Sequence, residues 1–179
     1  MTGRPWVVAG PNGAGKSTLV ARYLKGRFPI VNPDELAFGE NGIGILGAGR
    51  RALEERRSRL EQGQSFAIET TLTGRGEIEF MRRAKTAGFR IALVYVGLSS
   101  ADLSHARVGF RVSLGGHHVP LDDVMRRYDR STGNLPEAVA MADRVMLIDN
   151  SGLKRRMLKV LVNGEVRFQA DHLSDWANF

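Results

Sequence analysis

The chain has 179 residues, enough for one domain and little else. Hydrophobic residues make up 42% and charged residues 25%, a globular composition that excludes wholesale disorder, and the absence of cysteine excludes disulfide frameworks, Cys-ligated zinc, iron–sulfur clusters and cysteine nucleophiles. The net charge of +7 points to polyanionic partners such as nucleotides, phosphorylated sugars, nucleic acid or an acidic protein, and an aromatic content of 7% argues against nucleic acid as the main one.

Trp6–Gly10 reads as a buried strand stopped by the turn cluster Gly10-Pro11-Asn12-Gly13. Lys16–Lys25 carries Leu19, Val20, Tyr23 and Leu24 at helical spacing and ends at Gly26. Phe28–Asn32 reads as a second strand, and Asn32-Pro33-Asp34 as a loop at its carboxyl end. Gly39–Gly49 is glycine-rich and reads as a mobile or tight connection. Ala48–Gln62 follows as a charged helix. Ser65–Glu69 is a third strand, Glu77–Ala87 a helix, and Arg90–Leu98 a central strand apolar on both faces. Two helices follow, Ala101–Leu114 and Pro120–Ser131, then a helical turn at Pro136–Ala142 and a fifth strand at Arg144–Ile148. Asn163-Gly164 between apolar runs marks a β-hairpin over about 157–169, and Leu173–Phe179 reads as a short docking helix.

Strands alternating with helices predict an α/β three-layer sandwich with a mostly parallel five-stranded sheet plus the C-terminal hairpin, all in a single domain over 1–179. No apolar run reaches the ~18 residues of a membrane span, and the first residues read as a strand rather than a signal peptide. A soluble, cytoplasmic protein with no membrane partner is expected.

Gly10-Pro11-Asn12-Gly13-Ala14-Gly15-Lys16-Ser17 fits G-x-x-x-x-G-K-[ST], with Thr18 following. The chemistry needs this order. The glycines let successive N–H groups form a nest for phosphate oxygens, and the helix behind presents its positive end to the same anion. Lys16 reaches the β- and γ-phosphates, and the Ser17 hydroxyl can ligate Mg²⁺. The expected cofactors are ATP or GTP with Mg²⁺.

The class of enzyme turns on the other segments. A GTPase would need an Asn-Lys-x-Asp base reader, which is absent, and no clear Walker-B strand is visible; Asp149 reads as a strand-end residue. Kinases of the adenylate-kinase type often lack that acid and carry an arginine-rich lid. Residues 106–131 look like such a lid. Arg107 and Arg111 share a helix face, Gly115-Gly116 supplies a hinge, His117 and His118 follow, and Arg126, Arg127 and Arg130 extend the cluster. The two histidines have no third metal ligand spaced to join them. Asp34, at the rim after the second strand, could face the ligand crevice, or it could cap a short helix. Glu69, Thr70 and Thr71 at the end of the third strand suit sugar hydroxyls, or the threonines cap the next helix.

Taken together, Ala9–Leu19 (AGPNGAGKSTL), Asn32–Glu35 (NPDE), Glu69–Gly74 (ETTLTG) and Arg107–Pro120 (RVGFRVSLGGHHVP), followed by Arg127-Tyr128, resemble the zeta-toxin family over residues of about 5–150. The resemblance implies an adenylate-kinase-like P-loop fold that transfers the ATP or GTP γ-phosphate to a small molecule. In the larger toxins the acceptor is the sugar 3′-hydroxyl of UDP-N-acetylglucosamine. It implies Lys16 and Ser17 as phosphate and magnesium residues and Asp34 as general base. Glu69 and Thr71 would hold the amino-sugar, and Arg107 would be the first lid arginine. The second lid arginine of larger members falls near His117, so Arg111 is expected to substitute. His117 and Arg127 are expected on the substrate side. An antitoxin would be the protein partner. A metabolic kinase acting on another nucleotide or metabolite, or a non-catalytic nucleotide-binding module, are the alternatives.

Overall fold

The structure, a computed structural model, describes residues 3–38, 44–115 and 120–179; the side chains of residues 34, 38, 45 and 46 are outside that description. Seven strands form one sheet in the order β2-β3-β1-β4-β5-β6-β7. β1 (Pro5–Ala9), β2 (Ile30–Val31), β3 (Phe66–Thr70), β4 (Ala92–Gly97) and β5 (Arg144–Asp149) run parallel, so their carboxyl ends share one rim. β6 (Arg156–Val162) and β7 (Glu165–Gln169) are antiparallel and continue the same sheet beyond β5. The hairpin is therefore part of the sheet, and the expected count of five strands becomes seven. Its turn has Asn163 at φ 51° and Gly164 at φ 81°, the pair of positive values that a two-residue type I′ turn needs.

Alternation along the central strands divides the core into two. Val7, Ala9, Leu93 and Tyr95 face helices α3 (Gly44–Glu61), α4 (Arg75–Thr86) and α6 (Leu121–Met141), together with Trp176 near the C-terminus. Val8, Val94 and Val96 face α1 (Lys16–Tyr23), with Leu103 of α5 (Ala101–Ser113) at the margin. Every residue of β3 and β4 is buried, as expected for parallel strands covered on both sides.

Four further differences from the sequence reading have physical causes. The glycines at 44 and 49 lie inside α3 rather than in a connection, because Ala48 and Ala52 bury their faces there and packing outweighs glycine's low propensity; residues 39–43 are outside the description. Pro33–Phe38 forms α2, so Asp34 stands in a first helical turn rather than in a loop, and proline suits that start. Residues 121–141 form one helix with Pro136 inside it, not a helix and a separate turn. Burial of Val124, Ser131, Leu135 and Ala138 along one stripe offsets the lost backbone hydrogen bond. The C-terminal helix shrinks to a 3₁₀ turn, Asp175–Ala177, docked by Trp176 against Tyr95 with ring centroids 5.2 Å apart.

The chain passes from β1 outward to β2 and β3 on one side, then crosses to β4 on the other. The loop after β1 thus occupies the switch in strand order, the place where open α/β sheets bind ligands.

Candidate active site

Residues 10–17 leave β1 and turn into α1 at that switch. Gly10, Gly13 and Gly15 have φ of 142°, 72° and 88°, values that side-chain-bearing residues resist. At Gly10 the constraint is also steric, since a Cβ there would stand 2.0 Å from the carbonyl oxygen of Val96 in β4. Gly10→Ala should therefore cost about 2–5 kcal/mol, from overpacking plus backbone strain. A fall of roughly 5–15 °C in melting temperature is expected, measured by thermal unfolding against wild type.

The loop is held from within and from both flanks. Lys16 is 8% exposed and its Nζ donates to the Pro11 carbonyl at 2.9 Å, across the mouth of the loop. On the α5 side, the fully buried Ser104 hydroxyl donates to the Asn12 carbonyl at 2.6 Å. Arg107, one turn further, lies against Gly13 and donates to the Ser151 carbonyl at 3.2 Å. α5 itself starts at Ser100, whose hydroxyl accepts from the Leu103 N–H. The first of the sequence-predicted lid arginines is thus brought onto the phosphate loop. Arg111 is exposed one turn beyond it. Arg127 is half-buried on α6, next to Tyr128, whose hydroxyl donates to the Leu98 carbonyl at 2.8 Å. Burial pushes the Tyr128 hydroxyl above its ordinary pKa, so it stays a donor. His117 and His118 are outside the described residues.

The rim of β3 lies beside the loop because β3 pairs with β1. Glu69 there accepts from the Ser17 hydroxyl at 2.6 Å and from Asn32 Nδ2 at 3.2 Å, and it is 7% exposed. The strand order gathers the first residue of the Asn-Pro-Asp-Glu segment, the P-loop serine and a buried carboxylate. Asn32 has no signal of its own in the sequence. The closeness of Glu69 to Ser17 is equally hidden, since 52 residues separate them and only the order β3-β1 joins them. A serine hydroxyl and a carboxylate are hard oxygen donors, a set that fits Mg²⁺ with its remaining positions left to phosphate and water. The Asn12 Oδ1 atom is buried with no hydrogen-bond partner among the described residues, an acceptor that a bound donor would satisfy.

After Glu69 the chain turns sharply. Leu72 is fully buried at φ 59°, an unusual conformation for leucine. It is held by its N–H on Thr70 Oγ1 (3.1 Å) and by Asn134 Nδ2 of α6 on its carbonyl (2.9 Å). Thr70 is thus tied to the turn, while the Thr71 and Thr73 hydroxyls meet at 3.0 Å. A cavity of about 600 Å³ opens beside Ser17, Asn32 and Glu69, walled by Val20, Phe28 and Leu36. At β5, Asp149 accepts from the Ser151 N–H at 2.9 Å, from the Ser151 hydroxyl, and from Ser174 Oγ at 3.3 Å, a clasp for the chain end.

The sheet order and the loop after β1 define an α/β fold with a phosphate loop at its switch point, and its architecture is the zeta-toxin-like one that the sequence resemblance implies. The chain belongs to the same family as an uncharacterized protein of Haemophilus influenzae, to which it is 33% identical over 123 residues, covering 66% of this chain and 88% of that protein. No protein-family profile matches it. Among solved structures, one of the PezAT chromosomal toxin–antitoxin system of Streptococcus pneumoniae matches 86% of this chain and 71% of that one, at 16% identity and a TM-score of 0.64. The AvrRxo1-ORF1:-ORF2 complex with ATP matches 92% of this chain at 18% identity and a TM-score of 0.64. This chain spans 60% of the length of that one. At these identities the likeness is one of fold.

Proposed function

We propose that the chain is a zeta-toxin-like small-molecule kinase, a single domain with residues of about 106–131 as its lid, that moves the γ-phosphate of ATP or GTP to a hydroxyl of a nucleotide-sugar. The observation that carries the kinase reading is the contact of Ser17 with Glu69 beside an intact phosphate loop. It supports a site built for a magnesium-bound nucleotide rather than a chance glycine-rich turn.

The nucleotide's phosphates lie on the N–H groups of residues 10–18, with Lys16 on the β- and γ-phosphates. Ser17 and Glu69 would hold Mg²⁺, which when bound neutralises charge on the β- and γ-oxygens. The acceptor occupies the cavity next to Ser17, Asn32 and Glu69. Thr71, His117 and Arg127 are further acceptor-side residues of this reading, implied by the sequence resemblance. Asp34 takes the acceptor's hydroxyl proton. The acceptor oxygen forms its bond to the γ-phosphorus as the bond from that phosphorus to the β,γ-bridging oxygen breaks, and the nucleoside diphosphate leaves with that electron pair. Arg107 and Arg111 stabilise charge on the transferred group, for which a permanently charged planar guanidinium is suited.

A toxin role with an antitoxin partner is part of this reading. Its support is the fold shared with a structure of a toxin–antitoxin system. The test is transfer of labelled γ-phosphate from ATP and GTP to a panel of UDP-sugars and nucleoside diphosphate derivatives, read by mass spectrometry. A singly phosphorylated UDP-sugar is the expected product. Phosphorylation of another metabolite alone would move the chain to the metabolic kinases, and no transfer to any acceptor would leave a nucleotide-binding module.

A further inference from the structure

Asp149 ends β5 on the rim that carries the phosphate loop, and the proposed chemistry leaves it without a role. Its side chain is 13% exposed. One carboxylate oxygen accepts from the Ser151 N–H at 2.9 Å and from the Ser151 hydroxyl. The other accepts from Ser174 Oγ at 3.3 Å and pairs with Arg156 at 3.5 Å. Donors thus occupy both oxygens, and the carboxylate is committed to the turn after β5. Ser151 is held a second time. Its Oγ accepts from the Ser99 N–H at 2.8 Å, and Ser99 lies in the loop that joins β4 to α5. Beside it, the Asn150 N–H donates to the Gly97 carbonyl at 3.0 Å. The turn after β5 and the loop entering α5 are therefore pinned to each other at two points.

What this pinning fixes is the Ser151 carbonyl, which accepts from Arg107 Nη2 at 3.2 Å. Arg107 stands in the second turn of α5, half-buried against Gly13 of the phosphate loop. A long arginine side chain with no partner spreads over many rotamers, and a fixed acceptor selects among them. The acceptor here is neutral. It uses one of the five guanidinium N–H groups and leaves the positive charge uncancelled for an anion. The negative charge that orders the arrangement stands one link back, on Asp149 behind Ser151. A carboxylate placed directly on Arg107 would order the side chain too, but it would compete with phosphate for the same charge.

We infer that Asp149 is a positioning residue: through Ser151 it holds Arg107 at the phosphate loop in the arrangement that meets the γ-phosphate of a bound nucleotide. This rests on nucleotide binding as proposed above and not on the identity of the acceptor. The test is calorimetric titration of the full chain, in Mg²⁺, with ADP and separately with β,γ-imido-ATP, which keeps a γ-phosphate that cannot be transferred. The proteins are wild type, Asp149→Ala, Asp149→Asn, Arg107→Ala, the double variant of Asp149→Ala with Arg107→Ala, and Ser174→Ala. Asp149→Ala should weaken β,γ-imido-ATP roughly 5–20-fold and leave ADP within about two-fold. Asp149→Asn, which keeps an acceptor oxygen for Ser151, should recover most of that loss. In the Arg107→Ala background, Asp149→Ala should change neither ligand further, because a residue that acts only through another has nothing left to add. Ser174→Ala, which removes only the contact from the chain end, should bind both ligands as wild type does. Equal weakening of both ligands by Asp149→Ala, or a loss that persists without Arg107, would overturn the inference and leave Asp149 a structural residue of the turn. A Ser174→Ala protein that matches Asp149→Ala would overturn it in favour of the chain end. Should Asp149→Ala fail to fold, the cycle is read with Ser151→Ala, which removes both Oγ bonds; the same split in weaker form supports the inference and its absence overturns it. A wild-type chain that binds neither ligand would bring down the proposed function and this inference with it, whereas wild-type binding with independent effects of Asp149 and Arg107 brings down this inference alone.

Discussion

Lys16→Ala should lower phosphate transfer by on the order of 10²-fold or more while the fold persists. The ammonium is 8% exposed and lies across the loop on the Pro11 carbonyl at 2.9 Å, so it sits inside the nest that is proposed to take the phosphates. When a nucleotide arrives, the anion replaces one neutral carbonyl as its partner. Charge-assisted bonds to phosphate are about twice as strong as neutral ones, and the gain grows as negative charge shifts toward the bridging oxygen during transfer. Alanine removes that interaction and the Lys16–Pro11 bond across the loop, while Gly10, Gly13 and Gly15 still set the backbone and alanine is the best helix former for the first position of α1. The expected pattern is a large fall in kcat, a smaller loss of nucleotide affinity and an almost unchanged melting temperature. The measurement is steady-state transfer together with ADP titration. Wild-type turnover in this variant would remove residues 10–17 from the chemistry.

What could be read from the sequence follows from how far apart the interacting residues are. The phosphate loop was legible because its strand, turn and helix are contiguous, and the Asn163-Gly164 turn because two adjacent positive φ values need those residue types. The fully buried strand β4 is visible in the sequence as an apolar run. Failures occur where tertiary contacts override a local signal. Pro136 marks a break by its chemistry, yet burial of Leu135 and Ala138 carries α6 through it. The glycines at 44 and 49 signal a connection, yet packing of Ala48 makes it helix. The hairpin was recognised, but its pairing with β5 is a register fact that no local pattern encodes. The site divides in the same way. Lys16, Ser17 and Arg107 were read from motif and spacing, and all three lie at the loop. The resemblance marks Glu69 as an acceptor-side acid, whereas its contact with Ser17 depends on β3 lying next to β1. Asn150, Arg155, Ser104 and Asn134 reach the loop and its rim across 62 to 140 positions of sequence, and isolated polar residues give no warning of that.

Asp34→Asn should separate chemistry from binding. The residue stands in the first turn of α2, directly after β2 and two positions from Asn32, which bonds to Glu69 at 3.2 Å. The start of α2 therefore lies at the rim beside Ser17, among residues 32, 35 and 36 that line the cavity there. A general base acts on that hydroxyl in the transition state and hardly touches the nucleotide, so its removal should appear in kcat and not in nucleotide affinity. Asparagine keeps the size and shape but cannot take a proton. Acceptor phosphorylation should fall roughly 10²–10⁴-fold with ADP affinity within about two-fold of wild type. The helix-start reading gives a different result. Asp34 is the second residue of α2, not its N-cap, and an acidic side chain in the first turn adds only about 0.3–1 kcal/mol through the helix dipole, so a structural Asp34 would leave transfer intact and shift melting by a few degrees at most. If the chain arrests growth when expressed, the same substitution should abolish arrest without lowering protein level. The measurements are transfer rate, ADP titration and melting temperature on the two proteins side by side. Near-wild-type transfer by Asp34→Asn would remove Asp34 as the base and, with it, the residue that ties this site most closely to the zeta-toxin mechanism.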